Sequence, residues 1–556
     1  MQIAAMRKTL SAVLTALLVL APVVPARADV YHASPKLVII LVIDQFRGDY
    51  LDRYRDDFKT PSGFNLFLKR GAYFTDCYYD YANTETAAGH STIGTGAYSA
   101  GHGIALNQWW DLNRSTDHAV SSVEDERYEI VGDHGPKDIG TSPRNELAST
   151  LGDEVKLATR GQSKVFGISL KDRAAILTSG HASDGAFWLD KATGHFVSST
   201  YWGPKLPEWV DSFNHSGRTE KAALESSSRP GHFYDDAGAT PASVSYLMDF
   251  AQALIAGEKL GRHDTTDILT ISISSTDILG HQVGPDAPEQ RAMIDAIDVD
   301  LNAFSTWLDK NVDGGMGNVW VSLTGDHGVG ATTAGAAAAG FPAASFDLKK
   351  AMAALDVALN AKFSPGKNLS YLLPSASPNT TMPAVSLDPR TFAGVNVNEA
   401  DAEAAVAALL PAAFESAEPP APDGPVRLPA RAIVRNVYTK VQMQAGQVPD
   451  TPDGRIVRNS YSPYGGWYVL VTPGMYVQYA SIDPTKLKQS RVNHYTPYAY
   501  DRHVPLAFFG APFVAGTYHQ PVEPVDIAVT FASLLRINHP SNAVGSVLTF
   551  ALKPGQ

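Results

Sequence analysis

Four short apolar, β-branched runs in this chain stop abruptly at charged residues. "KLVIILVID" ends at Asp44, "VFGISLKDR" at Lys171 to Arg173, "DILTISISSTD" at Asp277 and "NVWVSLTGDHG" at Asp326 and His327. The runs are continuous rather than alternating, which is the pattern of strands buried on both faces. Helical patterns lie between them, the clearest being Ile294, Ile297, Leu301, Phe304 and Leu308 at spacings of three and four. Strand-then-helix alternation predicts an α/β fold with a mostly parallel central sheet and helices on both faces. Ligands of such folds gather beyond the carboxyl ends of the strands, where these charged residues fall.

From about Ala331 the chain becomes Ala-rich and helical in pattern, closing with the Pro-rich "SAEPPAPDGP". A strand-rich piece, "GWYVLVTPGMYVQYA", follows, with Pro473-Gly474 as a turn signal and a β-hairpin as the expectation. Residues 331–488 are read as an insertion, because the strand-like "HVPLAFFG" resumes the sheet at His503. The first 28 residues have the make-up of a secretory signal: Arg7 and Lys8, an apolar run broken at Pro22, and Ala26-Arg27-Ala28 as a cleavage site. The expectation is a periplasmic or secreted protein beginning at Asp29, with 29–556 as one catalytic domain and no transmembrane anchor. Loss of the three basic residues of that segment takes the formal charge from −12 to −15. That balance argues against nucleic acid as a main partner, though a metal site can still draw a small anion. The single Cys77 excludes an intramolecular disulfide.

Asp277 and His281 form D-x-x-x-H just beyond a buried run, and on a helical turn they share a face, as a zinc half-site requires. A solvated Asp beside an unrelated His is the plainer alternative. Asp326-His327 sits in "TGDHG", where a glycine-flanked turn lets adjacent side chains converge on one ion; an Asx-type turn with an incidental His is the rival reading. Asp44 ends the first run, where a lone carboxylate is costly unless paired with a metal, a helix start or Arg47. His494 and His503 in "NHYTPYAYDRHVP" complete the candidates. Oxygen and imidazole donors without thiolate suit zinc, with manganese or iron admitted by residue type. Two adjacent metals typically serve phosphoryl-type transfer, and a metal-bound Thr hydroxyl becomes a competent nucleophile. "NTETAAGHSTIGTG" offers five hydroxyls for that role: Thr84, Thr86, Ser91, Thr92 and Thr95.

The ordered set "VIDQFRGDY", "TETAAGHSTIGTG", "GHGIALN", "SLKDR", "STDILGHQVGP", "TGDHG" and "HYTPYAYDRHVPL" resembles the alkaline phosphatase superfamily across nearly the whole mature chain, and most closely its phosphate-irrepressible, threonine-nucleophile monoesterases. The resemblance implies that Thr86 is the nucleophile, with Thr84 two residues out of register. It implies two zinc ions per chain, one held by Asp44, Asp326, His327 and Thr86, the other by Asp277, His281 and His494. It further implies that Asn107, Lys171 and Arg173 bind the phosphoryl oxygens. The implied activity is hydrolysis of phosphate monoesters through a covalent phosphothreonine, by a monomer.

Two cations and an amide donor suit a dianionic monoester, which favours monoesterase over the alternative, a nucleotide phosphodiesterase/pyrophosphatase of the same superfamily. A sulfatase is disfavoured because Cys77 precedes Tyr78 and Tyr79. A serine hydrolase is disfavoured because Ile93 occupies the last, small-residue position of a G-x-S-x-G elbow. A zinc-stabilised periplasmic binding protein without turnover would need no metal-activated hydroxyl.

Overall fold

The computed structural model describes residues 34–134, 139–376, 384–417, 433–480 and 491–554. The export segment 1–28, most of the Pro-rich connector and Lys488, the far bound of the expected insertion, lie outside the described residues.

Ten strands build the main sheet: β1 (Leu37–Ile43), β2 (Ala72–Tyr78), β3 (Ile130–Val131), β4 (Val165–Ser169), β5 (Gly185–Leu189), β6 (Phe196–Ser199), β7 (Asp267–Ile273), β8 (Val319–Thr324), β9 (His503–Phe509) and β10 (Gly516–Tyr518). Their order is β10-β2-β9-β8-β1-β7-β4-β5-β6-β3. The central block β8-β1-β7-β4-β5 is parallel throughout, and antiparallel strands flank it on both sides. All four apolar runs form central strands of this block, and "HVPLAFFG" becomes β9.

Burial on both faces is visible residue by residue in β1. Leu37, Ile39, Leu41 and Ile43 join one hydrophobic core, while Val38, Ile40 and Val42 join another on the opposite face. Helix α1 (Thr86–Thr95) contributes Ala88 and Ile93 to the second core. Helix α2 (Asp172–Ser179) follows β4, and helix α3 (Ser275–Val283) follows β7. Helix α4 (Pro288–Asn311) turns Ile294, Ile297, Leu301, Phe304 and Leu308 into the first core, as their spacing requires.

Between β8 and β9 the chain forms a separate core from Leu355, Leu359, Val406, Leu410, Val469 and Val471. Helices Leu348–Phe363 and Glu399–Ser416 cover a three-stranded sheet there. The hairpin expected around Pro473-Gly474 is not formed. Tyr468–Pro473 pairs with Ala384–Ser386 and Val434–Thr439, whereas Val477–Ala480 pairs with Ala344–Asp347. Pro473 cannot donate to a ladder, and Tyr476 takes a left-handed φ of 58°, so the chain swings away instead of folding back. No helix among the described residues is long and apolar enough to cross a membrane.

Candidate active site

The carboxyl ends of four neighbouring parallel strands deliver most of the predicted residues to one place. Asp44 follows β1, Lys171 follows β4 with Arg173 in the first turn of α2, Asp277 and His281 lie on α3 after β7, and Asp326 and His327 follow β8. Loops bring in Asn107 and His494. Thr86, Asn107, Lys171, Arg173, Asp277, His281 and His494 line a cleft of about 1060 Å³. Asp44, Asp326 and His327 lie deeper, each fully buried.

Two overlapping groups have donor atoms close enough to share an ion. In each of the sets Asp44/Asp326/His327 and Asp277/His327/His494, one ligand atom per residue lies within 4.8 Å of the others. His327 Nε2 stands 3.5 Å from Asp44 Oδ1 and 3.6 Å from Asp326 Oδ2. Its ring stacks on His494 with centroids 3.7 Å apart. His281 joins the second set through Nε2, 3.2 Å from Asp277 Oδ1, while its Nδ1 is held 2.8 Å from the Val492 carbonyl oxygen. Three buried atoms of the first set, Asp44 Oδ1, Asp326 Oδ2 and His327 Nε2, make no hydrogen bond among the described residues. Buried polar atoms are ordinarily satisfied, so three orphans facing one point fit a divalent cation.

The electrostatics point the same way. Burial, above all, lowers His327 and His494 to about 3, which keeps both imidazoles neutral and their lone pairs available. Burial likewise pushes Asp326 up to about 7, and Asp44 is raised by burial and then by the Asp326 charge. Burial acts against ionised Asp277 too, but Lys171 and His281 outweigh it and hold that carboxyl well below the usual range. The Lys171 ammonium lies 2.6 Å from both Asp44 Oδ2 and Asp277 Oδ2. Burial disfavours its charge, and those two carboxylates more than restore it.

Thr86 is the first residue of α1, so its side chain stands at the positive end of a helix dipole. Its Oγ1 is 3.3 Å from Lys171 Nζ. Asn107 Oδ1 accepts the Ala87 N–H at 2.9 Å, which turns Nδ2 outward as a donor. Arg173 Nε is buried without a hydrogen-bond partner among the described residues. Thr84 is occupied elsewhere, since its Oγ1 accepts the Thr496 N–H at 3.1 Å. Thr92 and Thr95 lie on the body of α1, where Thr95 Oγ1 donates to the Ser91 carbonyl at 2.6 Å. His503 stays out of the centre: Nε2 lies 2.8 Å from the Thr75 carbonyl oxygen and the ring stacks on Tyr78.

Sequence reasoning passes over three supporting residues. Gln45 donates from Nε2 to Asp277 Oδ1 at 2.7 Å and from its backbone N–H to Asp326 Oδ1 at 3.0 Å, with a left-handed φ of 60°. A non-glycine residue at positive φ beside a putatively ordinary strand end leaves no mark in composition or spacing. Glu85 Oε2 accepts the Asn107 N–H at 2.8 Å, and His90 Nδ1 lies 2.8 Å from the Thr86 carbonyl oxygen. Only the neighbourhood of Glu85 and His90 to Thr86 in sequence could have flagged them.

A family model described as type I phosphodiesterase / nucleotide pyrophosphatase matches residues 38–437. The chain is 32% identical to the alkaline phosphatase PafA of Elizabethkingia meningoseptica, covering 93% of this chain and 94% of that protein. It is 31% identical to the alkaline phosphatase PhoV of Synechococcus elongatus, covering 94% of each. The crystal structure of wild-type PafA matches with a TM-score of 0.79 over 94% of this chain and 99% of its own, at 31% identity. Murine ectonucleotide pyrophosphatase / phosphodiesterase 5 matches with a TM-score of 0.51 over 93% of this chain and 100% of its own, and at 16% identity this is a likeness of fold. With a family model spanning most of the chain and relatives aligned nearly end to end, the protein belongs to the type I phosphodiesterase / nucleotide pyrophosphatase family of the alkaline phosphatase superfamily.

Proposed function

We propose that this chain is an alkaline phosphatase that hydrolyses phosphate monoesters with Thr86 as its nucleophile. The observation that carries this reading is the meeting of Thr86, Lys171 and two carboxylate/imidazole groups at the floor of one cleft. The two groups would each hold a zinc ion, Asp44, Asp326 and His327 with Thr86 in one, and Asp277, His281 and His494 in the other. A metal pair bound there supplies charge stabilisation to the attacking and departing oxygens.

The residues of the chain do the rest. Thr86 Oγ, at the α1 N-terminus and beside the Lys171 ammonium, gives up its proton and forms the O–P bond. The ester O–P bond breaks in line, and the departing alcohol takes up a proton. Water then cleaves the phosphothreonine, which releases phosphate and restores the hydroxyl. Lys171, Arg173 and Asn107 Nδ2 face the equatorial oxygens, where a loose phosphoryl-transfer transition state keeps its charge.

A second reading, a nucleotide phosphodiesterase, is favoured by the description of the matching family model. The cation pair supports the monoester, because a diester has one fewer charged oxygen to neutralise. The test is kcat/KM for an aryl phosphate monoester and the matching diester on protein of measured metal content. The expected result is a strong monoester preference in the wild type, with Thr86→Ala inactive on both substrates at near-two zinc ions per chain. An active Thr86→Ala variant sinks the nucleophile, and a diester preference sinks the substrate class. Export to the periplasm or medium, with cleavage before Asp29, is part of the same proposal and is supported by the sequence of residues 1–28.

A further inference from the structure

One polar side chain in the cleft has no part in the chemistry above. Tyr234 lines the same cleft as Thr86, Lys171, Arg173 and Asp277. It is half-buried, and its hydroxyl makes no hydrogen bond to any described residue. The strongest electrostatic neighbours of that hydroxyl are the Lys171 ammonium and the Arg173 guanidinium, followed by Asp277 and Asp44.

The position is held from several sides. Tyr234 N–H donates to the Lys191 carbonyl at 3.0 Å, and Lys191 Nζ lies 5.6 Å from the centre of its ring. The preceding Phe233 is buried in the first core, with its ring centroid 5.8 Å from that of Tyr246. Two residues on, Asp236 accepts a bidentate pair from Arg229, both contacts at 2.8 Å. A tyrosine present only for packing would turn its hydroxyl to bulk solvent or to a backbone acceptor. This one is fixed beside the two cations that are proposed to face the phosphoryl group.

We infer that Tyr234 is a further phosphoryl-binding residue, whose hydroxyl donates to the same charged oxygen of a monoester that Lys171 and Arg173 face. The inference rests on the monoesterase reading and names one more source of its selectivity. A diester carries an ester group in place of that oxygen and gives the hydroxyl no anionic acceptor. Burial raises the phenol to about 12, so it remains a donor under alkaline conditions.

The test is Tyr234→Phe in the full, metal-loaded protein, with kcat/KM for an aryl monoester and its diester and the affinity for inorganic phosphate measured by isothermal titration. A hydrogen bond to a charged group predicts a loss of about tenfold in monoester kcat/KM and in phosphate affinity, with diester kcat/KM unchanged within about twofold. An unchanged monoester rate and phosphate affinity overturns the inference, and so does an equal loss on both esters, which would mark a packing role. If the wild type hydrolyses no monoester, the functional reading fails on its own, and phosphate titration still decides on Tyr234. Wild-type and Tyr234→Phe proteins that bind phosphate equally, or not at all, reject it.

Discussion

Gln45 ties one carboxylate from each donor group to a single side chain and its backbone. Its amide reaches Asp277 and its N–H reaches Asp326, in a backbone conformation that L-residues rarely adopt. Groups that orient metal ligands typically contribute 10–100-fold to affinity, so Gln45→Leu should weaken zinc binding by about that factor. Competition against a chromophoric chelator measures it, and unchanged affinity rules out the orienting role. The candidate ligands themselves were legible in the sequence because Asp44, Asp277, Asp326 and His327 each interrupt an apolar run, where an unpartnered charge is costly. Gln45 and Tyr234 were not, because nothing near them in sequence is anomalous. Their partners lie 232 and 281 residues away for Gln45 and across the cleft for Tyr234.

At the scale of elements, the start of α1 must come very close to the end of β8 to put Thr86 beside the buried carboxylates. Gly89 permits this approach: a Cβ built there would lie 2.3 Å from the Asp326 carbonyl oxygen. Gly→Ala inside a helix normally stabilises by about 0.5–1 kcal/mol. Here the overlap with backbone reverses the sign, and Gly89→Ala should destabilise by about 1–3 kcal/mol while lowering turnover through displacement of Thr86. Denaturant unfolding with parallel monoester assays checks both effects, and a more stable Gly89→Ala protein would refute the close-approach argument. The same tertiary control explains which elements could be read in advance. The central strands announce themselves because both faces are buried, as the two cores sharing β1 show. The strands around Pro473 could not be assigned partners, because Tyr468–Pro473 and Val477–Ala480 look equally ready to pair, and distant segments decide otherwise.

Over the whole molecule, three buried carboxylates, Asp44, Asp277 and Asp326, converge on one pit with the Lys171 ammonium as their close cationic partner. The chain has a single cysteine and so no disulfide to offset the mutual repulsion. A ligand at a hundred times its Kd adds about 2.7 kcal/mol of stability per site. For a chain of this size, two such sites correspond to a fall in Tm of about 5 °C when a chelator removes the metals. Lys171 and the metals neutralise the same oxygens, so their contributions must be non-additive. With metal bound, Lys171→Ala leaves Asp44 and Asp277 still neutralised. After chelation it leaves them buried without a close cation, which is the expensive case. The Tm lost on Lys171→Ala should therefore be larger in chelator than in zinc, as read by scanning calorimetry on both proteins under both conditions. Equal losses would mean that the metals bind somewhere other than this pit.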